Sequence, residues 1–388
     1  MNRIEIEKEY KLFTPGPTNI PNRVEAASSL CNYHHRTASF SAVLKDTLGR
    51  LKALFGTDGD ILPIHATGRG ALEGVYKNLF TSESKVISVA NGSFGEMAVN
   101  TLKKNGIPCI PFAEGWETEV DIGELEDLVK KEKPTGITCV WNDTSNGIVN
   151  PIWSIGEIAK KYDLLFVVDA VSALGCMPFE FDNWHVDAAV VASQKGLMSA
   201  TGMSFAAVSD RAMEAAKKNT GTNFYINLPD IKKFVDEKTE TPGSTPVPLV
   251  LSVNEALNMM EEEGLENVFK RHKALSSGTK AALEALGFSL YPLSWSCRSD
   301  SLTVARVPEG VDPPALVKHL SDSYSLLIGK GLKQTGKSCI RIAHMGYCYV
   351  QDMLECITAI EASFDELGYG KCYGIGTESF MREYRKIW

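Results

Sequence analysis

The stretch LLFVVDAVSALG (164–175), followed by DAAVVASQKG (187–196), decides how this chain is expected to fold. Each stretch contains an uninterrupted apolar run rich in Val and Ala, which is typical of a strand that helices cover on both faces. Asp169 follows the first run and Lys195 follows the second. Because ligands of α/β sheets bind beyond the carboxyl ends of the strands, we expect this acid and this amine to face one site.

An acid and an amine in this arrangement suggest pyridoxal phosphate as cofactor. A lysine amine forms a Schiff base with its aldehyde and can pass that bond on to an incoming amino acid. A carboxylate beside the ring nitrogen keeps that nitrogen protonated, since an opposite charge favours the charged form. Two plainer interpretations stay open, because an Asp after a strand often caps the next turn and a loop Lys is often only solvated.

The composition is that of an ordinary globular protein. The chain has 388 residues, 44% hydrophobic and 23% charged, which predicts two domains. A net charge of −8 argues against nucleic acid and anionic membranes as partners. Nine cysteines without CxxC or metal-type spacing predict reduced thiols, no disulfides and no metal site. Because neither a signal peptide nor a membrane-spanning apolar run is visible, we expect a cytoplasmic protein.

Short apolar runs that alternate with amphipathic helices predict an α/β fold with a mostly parallel central sheet. The runs are VISVAN (86–91), ITCVWND (137–143), LLFVVDA (164–170), AAVVASQ (188–194) and SFAAVSD (204–210). The segment DEKTETPGSTPVPLV (236–250) is dense in turn-forming residues and is expected to be a loop that marks a transition.

A smaller α/β domain is expected at the C-terminal end. After the turn-rich segment comes a long helix interrupted at Gly264, followed by weaker strand candidates near SLTVARV (301–307), SLLIGKG (325–331) and CIRIAH (339–344). We therefore predict three parts: an N-terminal arm at 1–20, a large cofactor-binding domain at 21–255 and a small domain at 256–388.

A small-residue turn, Thr67-Gly68-Arg69-Gly70, opens a predicted helix in IHATGRGALEGVYKNLF (64–80). Free amide groups and the helix dipole make such a turn an anion site, and glycine lets a phosphate approach closely. Arg69 could add positive charge. A glycine-rich helix entry without any ligand is the alternative interpretation.

Three further side chains are candidates for the same site. Phe94 is expected in a loop just past the VISVA strand, where it could stack on a flat ring, although most such aromatics are core residues. Thr144 could bind a phenolic oxygen or form a plain turn. Arg341 lies in an apolar strand and should have a carboxylate partner, either a structural Asp or Glu or a substrate.

The ordered set of these motifs closely resembles class V pyridoxal-phosphate aminotransferases, and in particular the alanine–glyoxylate and serine–pyruvate type. The resemblance runs from about Leu12 to about Leu367. Its motifs are FTPGPTNIP (13–21), HATGRGALE (65–73), ANGSFGE (90–96), NDTSNGIVNP (142–151), VVDAVSALG (167–175), SQKGLMSATG (193–202) and RIAHMG (341–346).

The resemblance implies the fold-type I, aspartate aminotransferase-like architecture and a role for each matching residue. Lys195 matches the lysine that forms the Schiff base, and Asp169 the partner of the ring nitrogen. Arg341 matches the arginine that binds the substrate α-carboxylate. Further cofactor contacts are implied for a larger set: Thr67, Gly68, Arg69 and Gln194 at the phosphate, Phe94 stacked on the ring, and Thr144 at the phenolic oxygen.

The family also implies a homodimer with shared active sites. A threonine of one subunit reaches the phosphate in the other, and Ser244 or Thr245 matches it here. Gly16 and Tyr33 are assigned to the substrate side, where the stretch His34–Arg36 and Tyr225 could shape the pocket. Two departures weaken the phosphate contacts: Arg69 replaces a His, Thr or small residue, and no aromatic precedes the crossing residue.

The resemblance implies a ping-pong aminotransferase that moves an amino group from a small amino acid to a small 2-oxo acid, glyoxylate or pyruvate. One alternative is a lyase or desulfurase of the same fold. Desulfurases carry His before the lysine and Cys on a mobile loop, whereas this chain has Gln194 before Lys195. A nicotinamide-dependent oxidoreductase or a nucleotide-binding module is disfavoured, because a GxGxxG after the first strand is absent.

Overall fold

The computed structural model describes residues 8–30, 34–113, 115–219 and 223–388. Within these residues the chain forms 14 strands and 13 α-helices. The strands are β1 Lys11–Phe13, β2 Asp60–Ile64, β3 Val86–Val89, β4 Cys109–Phe112, β5 Gly136–Val140, β6 Asn142–Asp143, β7 Ile148–Val149, β8 Leu165–Asp169, β9 Ala188–Ala192, β10 Ser204–Val208, β11 Ser289–Leu290, β12 Leu302–Arg306, β13 Leu326–Lys330 and β14 Cys339–Ala343.

Helices separate most of the strands, as the alternating sequence pattern predicts. They are α1 Asn22–Ser28, α2 Ala38–Phe55, α3 Gly68–Leu79, α4 Ser93–Lys104, α5 Ile122–Glu132, α6 Ile152–Lys161, α7 Asp210–Lys218, α8 Leu228–Lys238, α9 Val247–Glu263, α10 Leu265–Ala285, α11 Pro313–Tyr324, α12 Val350–Glu366 and α13 Ile375–Ile387. One 3₁₀ turn spans Lys333–Thr335.

The central sheet has seven strands in the order β2-β10-β9-β8-β5-β3-β4. Six strands share one direction and only β10 opposes its neighbours. All five apolar runs quoted above form strands of this sheet, so the predicted α/β fold with a mostly parallel sheet is confirmed. The strands β2 and β4 were not predicted, because each contains a proline and lacks the Val-rich pattern of the others.

Both faces of the central sheet are buried, which explains the continuous apolar runs. In β8, Phe166 and Val168 pack into one hydrophobic cluster with α2, α6 and α9. Val167 packs into a second cluster with α3, α4 and α7 on the opposite face. Side chains of a strand alternate between faces, so a run without polar residues supplies both clusters.

A second sheet of five strands has the order β1-β13-β14-β12-β11 and is mostly antiparallel. The three weak strand candidates form β12, β13 and β14, and β1 from the predicted N-terminal arm pairs in parallel with β13. The long helix is interrupted at Gly264, which has a φ of +84°. Helix α9 starts inside the segment expected to be a loop and spans the predicted boundary at 255/256; the domain limits stay predictions.

Two kinds of feature are absent from the described residues. No helix in this part of the chain is both long and apolar enough to cross a membrane. The same residues hold no group of three or more His, Cys, Asp and Glu side chains arranged for a metal ion. The eight cysteines that the structure describes are all free thiols.

Candidate active site

A cavity of about 270 Å³ opens where β8 and β9 end and α3 begins. Nine residues selected from the sequence line it: Gly16, Thr67, Gly68, Arg69, Phe94, Thr144, Asp169, Gln194 and Lys195. These residues come from distant parts of the chain, and the sheet topology brings them together as the motif order predicts. The other lining residues include Asn142, Val171 and Ser172.

Asp169 ends β8 at the buried end of the cavity, where its side chain is held by the backbone. The amide of Val171 donates to its Oδ1 at 3.0 Å. The pKa of Asp169 is raised to about 6, chiefly by burial; the Val171 amide and Lys195 oppose the rise, whereas the neighbouring Asp143 adds to it. A carboxylate with a raised pKa in a closed pocket is the environment in which a cationic partner is most stabilising.

Lys195 lies in the turn after β9 and points into the same cavity. Burial lowers the pKa of Lys195 to about 8, while Asp169 opposes the fall and Arg341 adds to it. Its Nζ donates to the carbonyl of Pro15. Gly16 is required here, because a Cβ on it would lie 2.6 Å from Lys195 Nζ and its φ is +106°.

The predicted anion turn is the first turn of α3. Thr67 is the N-cap residue, and its hydroxyl makes no capping bond, so it stays available to a ligand. A Cβ on Gly68 would lie 2.8 Å from Val171 Cγ2, which keeps this position small. Arg69 is exposed at the cavity, and no described residue pairs with its guanidinium.

Phe94 is the second residue of α4 rather than a loop residue, which corrects the sequence-based expectation. The helix begins early because two acceptors hold its first amides. Asp143 accepts from Phe94 N at 2.8 Å and from Gly95 N at 3.2 Å, and Ser145 Oγ accepts from Ser93 N at 2.9 Å.

Arg341, in β14 of the second sheet, lies beside the cavity without lining it and contacts Thr144 of the cavity wall. Its NH1 donates to the carbonyl of Thr144 at 2.9 Å and its Nε to the carbonyl of Lys330 at 2.7 Å. Burial lowers the pKa of Arg341 to about 10, and Asp143 opposes this. Among the described residues no carboxylate forms an ion pair with it, so of the two partners expected, the structural Asp or Glu is not found.

Two buried amide oxygens at the cavity lack a hydrogen-bond partner in the described part of the chain: Gln194 Oε1 and Asn142 Oδ1. Asn142 is held through its Nδ2, which donates to Ser301 Oγ at 2.8 Å and Ser172 Oγ at 3.0 Å. Buried polar atoms are normally paired, so this wall is suited to a polar ligand. Sequence reasoning missed Asn142 and Asp143, although both stand in the NDTSNG motif.

The remaining candidates that the structure describes lie outside the cavity. Thr245 is buried and its hydroxyl is 2.7 Å from that of Thr241, whereas Ser244 is exposed. Arg36 forms an ion pair with Glu240, and Tyr225 is 69% exposed. Tyr33 falls outside the described residues.

Known proteins resemble this chain over nearly its full length. It is 33% identical to serine–glyoxylate aminotransferase of Methylorubrum extorquens, covering 96% of both chains. It is 31% identical to L-aspartate–glyoxylate aminotransferase of Paracoccus denitrificans, covering 97% of this chain and 96% of the other. The crystal structure of ureidoglycine–glyoxylate aminotransferase from Bacillus subtilis superposes with a TM-score of 0.93 at 25% identity, covering 99% of this chain and 100% of that one.

Desulfurases are more distant. A cysteine desulfurase from Thermococcus onnurineus has a TM-score of 0.72 at 16% identity, covering 92% of this chain and 94% of that one, which shows a shared fold alone. The family model described as "Aminotransferase class-V" matches residues 12–355. Pyridoxal phosphate is the cofactor of this family. The chain belongs to the class V aminotransferases.

Proposed function

We propose that this enzyme transfers an amino group from a small amino acid to a small 2-oxo acid, glyoxylate or pyruvate, in two half-reactions. The observation that carries the proposal is the placement of Asp169, Lys195 and the first turn of α3 around one cavity. The acid, the amine and the anion site match the ring nitrogen, the aldehyde and the phosphate of pyridoxal phosphate, respectively.

The residues present fit this cofactor. The free Thr67 hydroxyl and the small Gly68 keep the anion turn open to a phosphate, and the unpaired oxygens of Gln194 and Asn142 call for a hydrogen-bond donor on the ligand. Asp169 would hold the ring nitrogen in its protonated form, and Thr67 with the amides of α3 would hold the phosphate. Phe94 would cover the ring and Thr144 would bind the phenolic oxygen. When bound, the cofactor supplies an electron sink for the charge that develops at the substrate Cα.

Lys195 carries the proton transfers in this proposal. Its amine would hold the cofactor at the aldehyde carbon in the resting enzyme, and the free amine would take the proton from the substrate Cα. Burial lowers the pKa of Lys195 to about 8, so a useful fraction of the amine is neutral near physiological pH. A neutral amine is required for both roles.

Arg341 binds the α-carboxylate of the substrate. Its Nε and NH1 each donate to a backbone carbonyl, which fixes the plane of the guanidinium. Because no described carboxylate forms an ion pair with it, its charge is left for a ligand. The sequence-based assignment therefore rests on a fixed and uncompensated cation beside the cavity.

We propose that two copies of the chain build each site together, in a cytoplasmic homodimer. Ser244 is exposed and lies outside the cavity of its own chain, which suits a residue that serves the phosphate of the other copy. Thr245 is buried and bonded to Thr241, so Ser244 is favoured of the two. Tyr33, Tyr225 and the stretch His34–Arg36 remain candidates for the substrate pocket.

The desulfurase alternative is disfavoured by the described thiols. A nucleophilic cysteine needs a lowered pKa and an exposed position. Burial raises the pKa of all eight described cysteines, and six of them are fully buried. Cys31 lies outside the described residues.

A screen of amino donors against glyoxylate and pyruvate tests the proposal. Each donor alone should convert the visible absorbance of the bound cofactor to the pyridoxamine form, and each acceptor alone should restore it. The lyase alternative would be established instead if the enzyme released sulfide or pyruvate from cysteine without any 2-oxo acid present. Absence of a visible band after addition of pyridoxal phosphate would refute both.

A further inference from the structure

The three residues Asp143, Thr144 and Ser145 lie where the walls of the cavity meet. The side chain of Asp143 holds the start of α4, while the Thr144 side chain lines the cavity and its carbonyl accepts from Arg341 at 2.9 Å. Ser145 accepts through its carbonyl from Thr335 Oγ1 at 3.0 Å. One short segment therefore touches the helix that carries Phe94 and the sheet that carries Arg341.

Asp143 is a carboxylate surrounded by donors. Its Oδ1 accepts from Ser145 Oγ at 2.6 Å and Ser145 N at 2.9 Å, and its Oδ2 accepts from Phe94 N and Gly95 N. The side chain is 1% exposed. Three of the four groups within bonding distance are backbone amides, which can only donate, so the site fits the ionised carboxylate, although burial raises the pKa of Asp143.

The contact between Asp143 and the start of α4 is so close that it determines which residue can occupy position 92. A Cβ on Gly92 would lie 2.3 Å from Asp143 Oδ2, so this position must be glycine for the carboxylate to reach the amides of α4. Backbone amides at a helix start are fixed in direction, and bonds to two of them fix where the Phe94 side chain begins. Asp143 therefore sets the position of Phe94 without lining the cavity itself.

The negative charge of Asp143 also acts across the segment. It raises the pKa of Arg341 against the fall caused by burial, although the two groups form no ion pair. The charge thus supports a buried cation whose remaining partner is a ligand. The Arg341 guanidinium is further fixed by the carbonyl of the very next residue, Thr144.

We propose that Asp143 is a positioning residue that fixes both the ring-covering Phe94 and the carboxylate-binding Arg341. One buried charge thereby affects the binding of both the cofactor and the substrate. The assignment rests on the proposed function for the Arg341 half only. The Phe94 half requires no more than that pyridoxal phosphate binds in the cavity. Asp143 touches neither substrate nor cofactor in this proposal.

Asp143→Asn is the variant that tests it. The Asn amide has the same shape but only one acceptor oxygen. Its NH₂ group must therefore face either the two donors at Oδ1 or the two donors at Oδ2, and that pair of hydrogen bonds is lost. We expect the dissociation constant of pyridoxal phosphate to rise about tenfold and the KM of the amino donor roughly threefold. The visible circular dichroism per bound cofactor should also change, since it reports the setting of the ring.

Asp187→Asn is the matched control. Asp187 is also a buried carboxylate, bonded to Phe166 N at 3.0 Å and Ser209 Oγ at 2.7 Å, but it lies outside the cavity. It should lower the melting temperature without changing the dichroism per bound cofactor or KM. If Asp143→Asn behaves in the same way as this control, Asp143 is merely structural and the proposal fails.

Ser145→Ala serves if Asp143→Asn does not fold. It removes the donor at 2.6 Å from Oδ1 and the acceptor of Ser93 N, but leaves both bonds from α4 to Asp143, so a smaller change of dichroism in the same direction is expected; no change would overturn the proposal. The two levels are separable. If no donor is transaminated by the wild type while Asp143→Asn still changes cofactor affinity and dichroism, the proposed function fails and the positioning of Phe94 stands.

Discussion

The floor of the cavity and its rim are built in different ways. The floor consists of Asp169, which is buried, and Lys195, which is half-buried, and the buried Asp143 supports it without lining the cavity; all three are held by bonds within one chain. We call three exposed candidates the rim: Arg69 lines the cavity, whereas Tyr225 and Ser244 lie outside it in this chain. Preorganised groups in a buried pocket suit the chemistry common to a family, whereas exposed groups with few partners suit what differs among its members. In the proposed function the floor serves the reaction, and the rim serves the choice of substrate and the contact with the second copy.

Removing the amine from the floor should give the largest effect. Lys195→Ala deletes both the covalent link to the cofactor and the base, so kcat should fall by roughly 10⁴-fold or more. Steady-state transamination with the best donor of the screen measures it, with the exposed Lys103→Ala as control. Turnover near that of the wild type would move the chemistry away from the floor.

Arg341 shares one property with each region. Hydrogen bonds fix its guanidinium, as they fix the floor residues, but no described carboxylate forms an ion pair with it, so its charge is left for a ligand as at the rim. Arg341→Ala should raise the KM of the amino donor by about 100-fold with a smaller change in kcat, since a charge-assisted bidentate contact is lost. Arg306, on the adjacent strand, forms an ion pair with Glu117, and Arg306→Ala should leave KM unchanged. An unchanged KM in Arg341→Ala would make this arginine structural.

The pH dependence of cofactor binding tests how closed the floor is. Burial lowers the pKa of Lys195 from 10.5 to about 8, and only the neutral amine attacks the aldehyde. The rate at which the apoprotein gains its visible band should therefore rise about tenfold per pH unit below pH 8 and level off above it. A rise that continues to pH 10 would mean that the amine is solvated.

The two floor residues that line the cavity could be placed from the sequence, whereas the rim residues could be named from it but not placed. Asp169 and Lys195 follow apolar runs, and β-strand ends in a parallel sheet converge whatever the rest of the chain does. Asp143 escaped notice because its function depends on the distant amides of α4, which no local pattern reveals. Phe94 was assigned to a loop for the same reason. Thr245 and Ser244 are neighbours in sequence, and only their different burial separates them.

The smallest expected effect concerns the rim. Ser244→Ala should weaken pyridoxal phosphate binding by about fivefold, as expected for one hydrogen bond to an anion, whereas Thr245→Val should chiefly lower the melting temperature because it breaks the bond to Thr241. Mixed dimers of Ser244→Ala and Lys195→Ala chains then locate the contact.

If Ser244 serves the other copy, the site with an intact Lys195 in such a mixed dimer receives Ser244 from the Lys195→Ala chain and regains wild-type cofactor affinity. If Ser244 acts within its own chain, every site with Lys195 still lacks it and no affinity returns. Recovery of the affinity would mean that the rim contact is made between the two chains of a dimer, whereas the floor is built within one chain. Without recovery, both regions would be built within one chain.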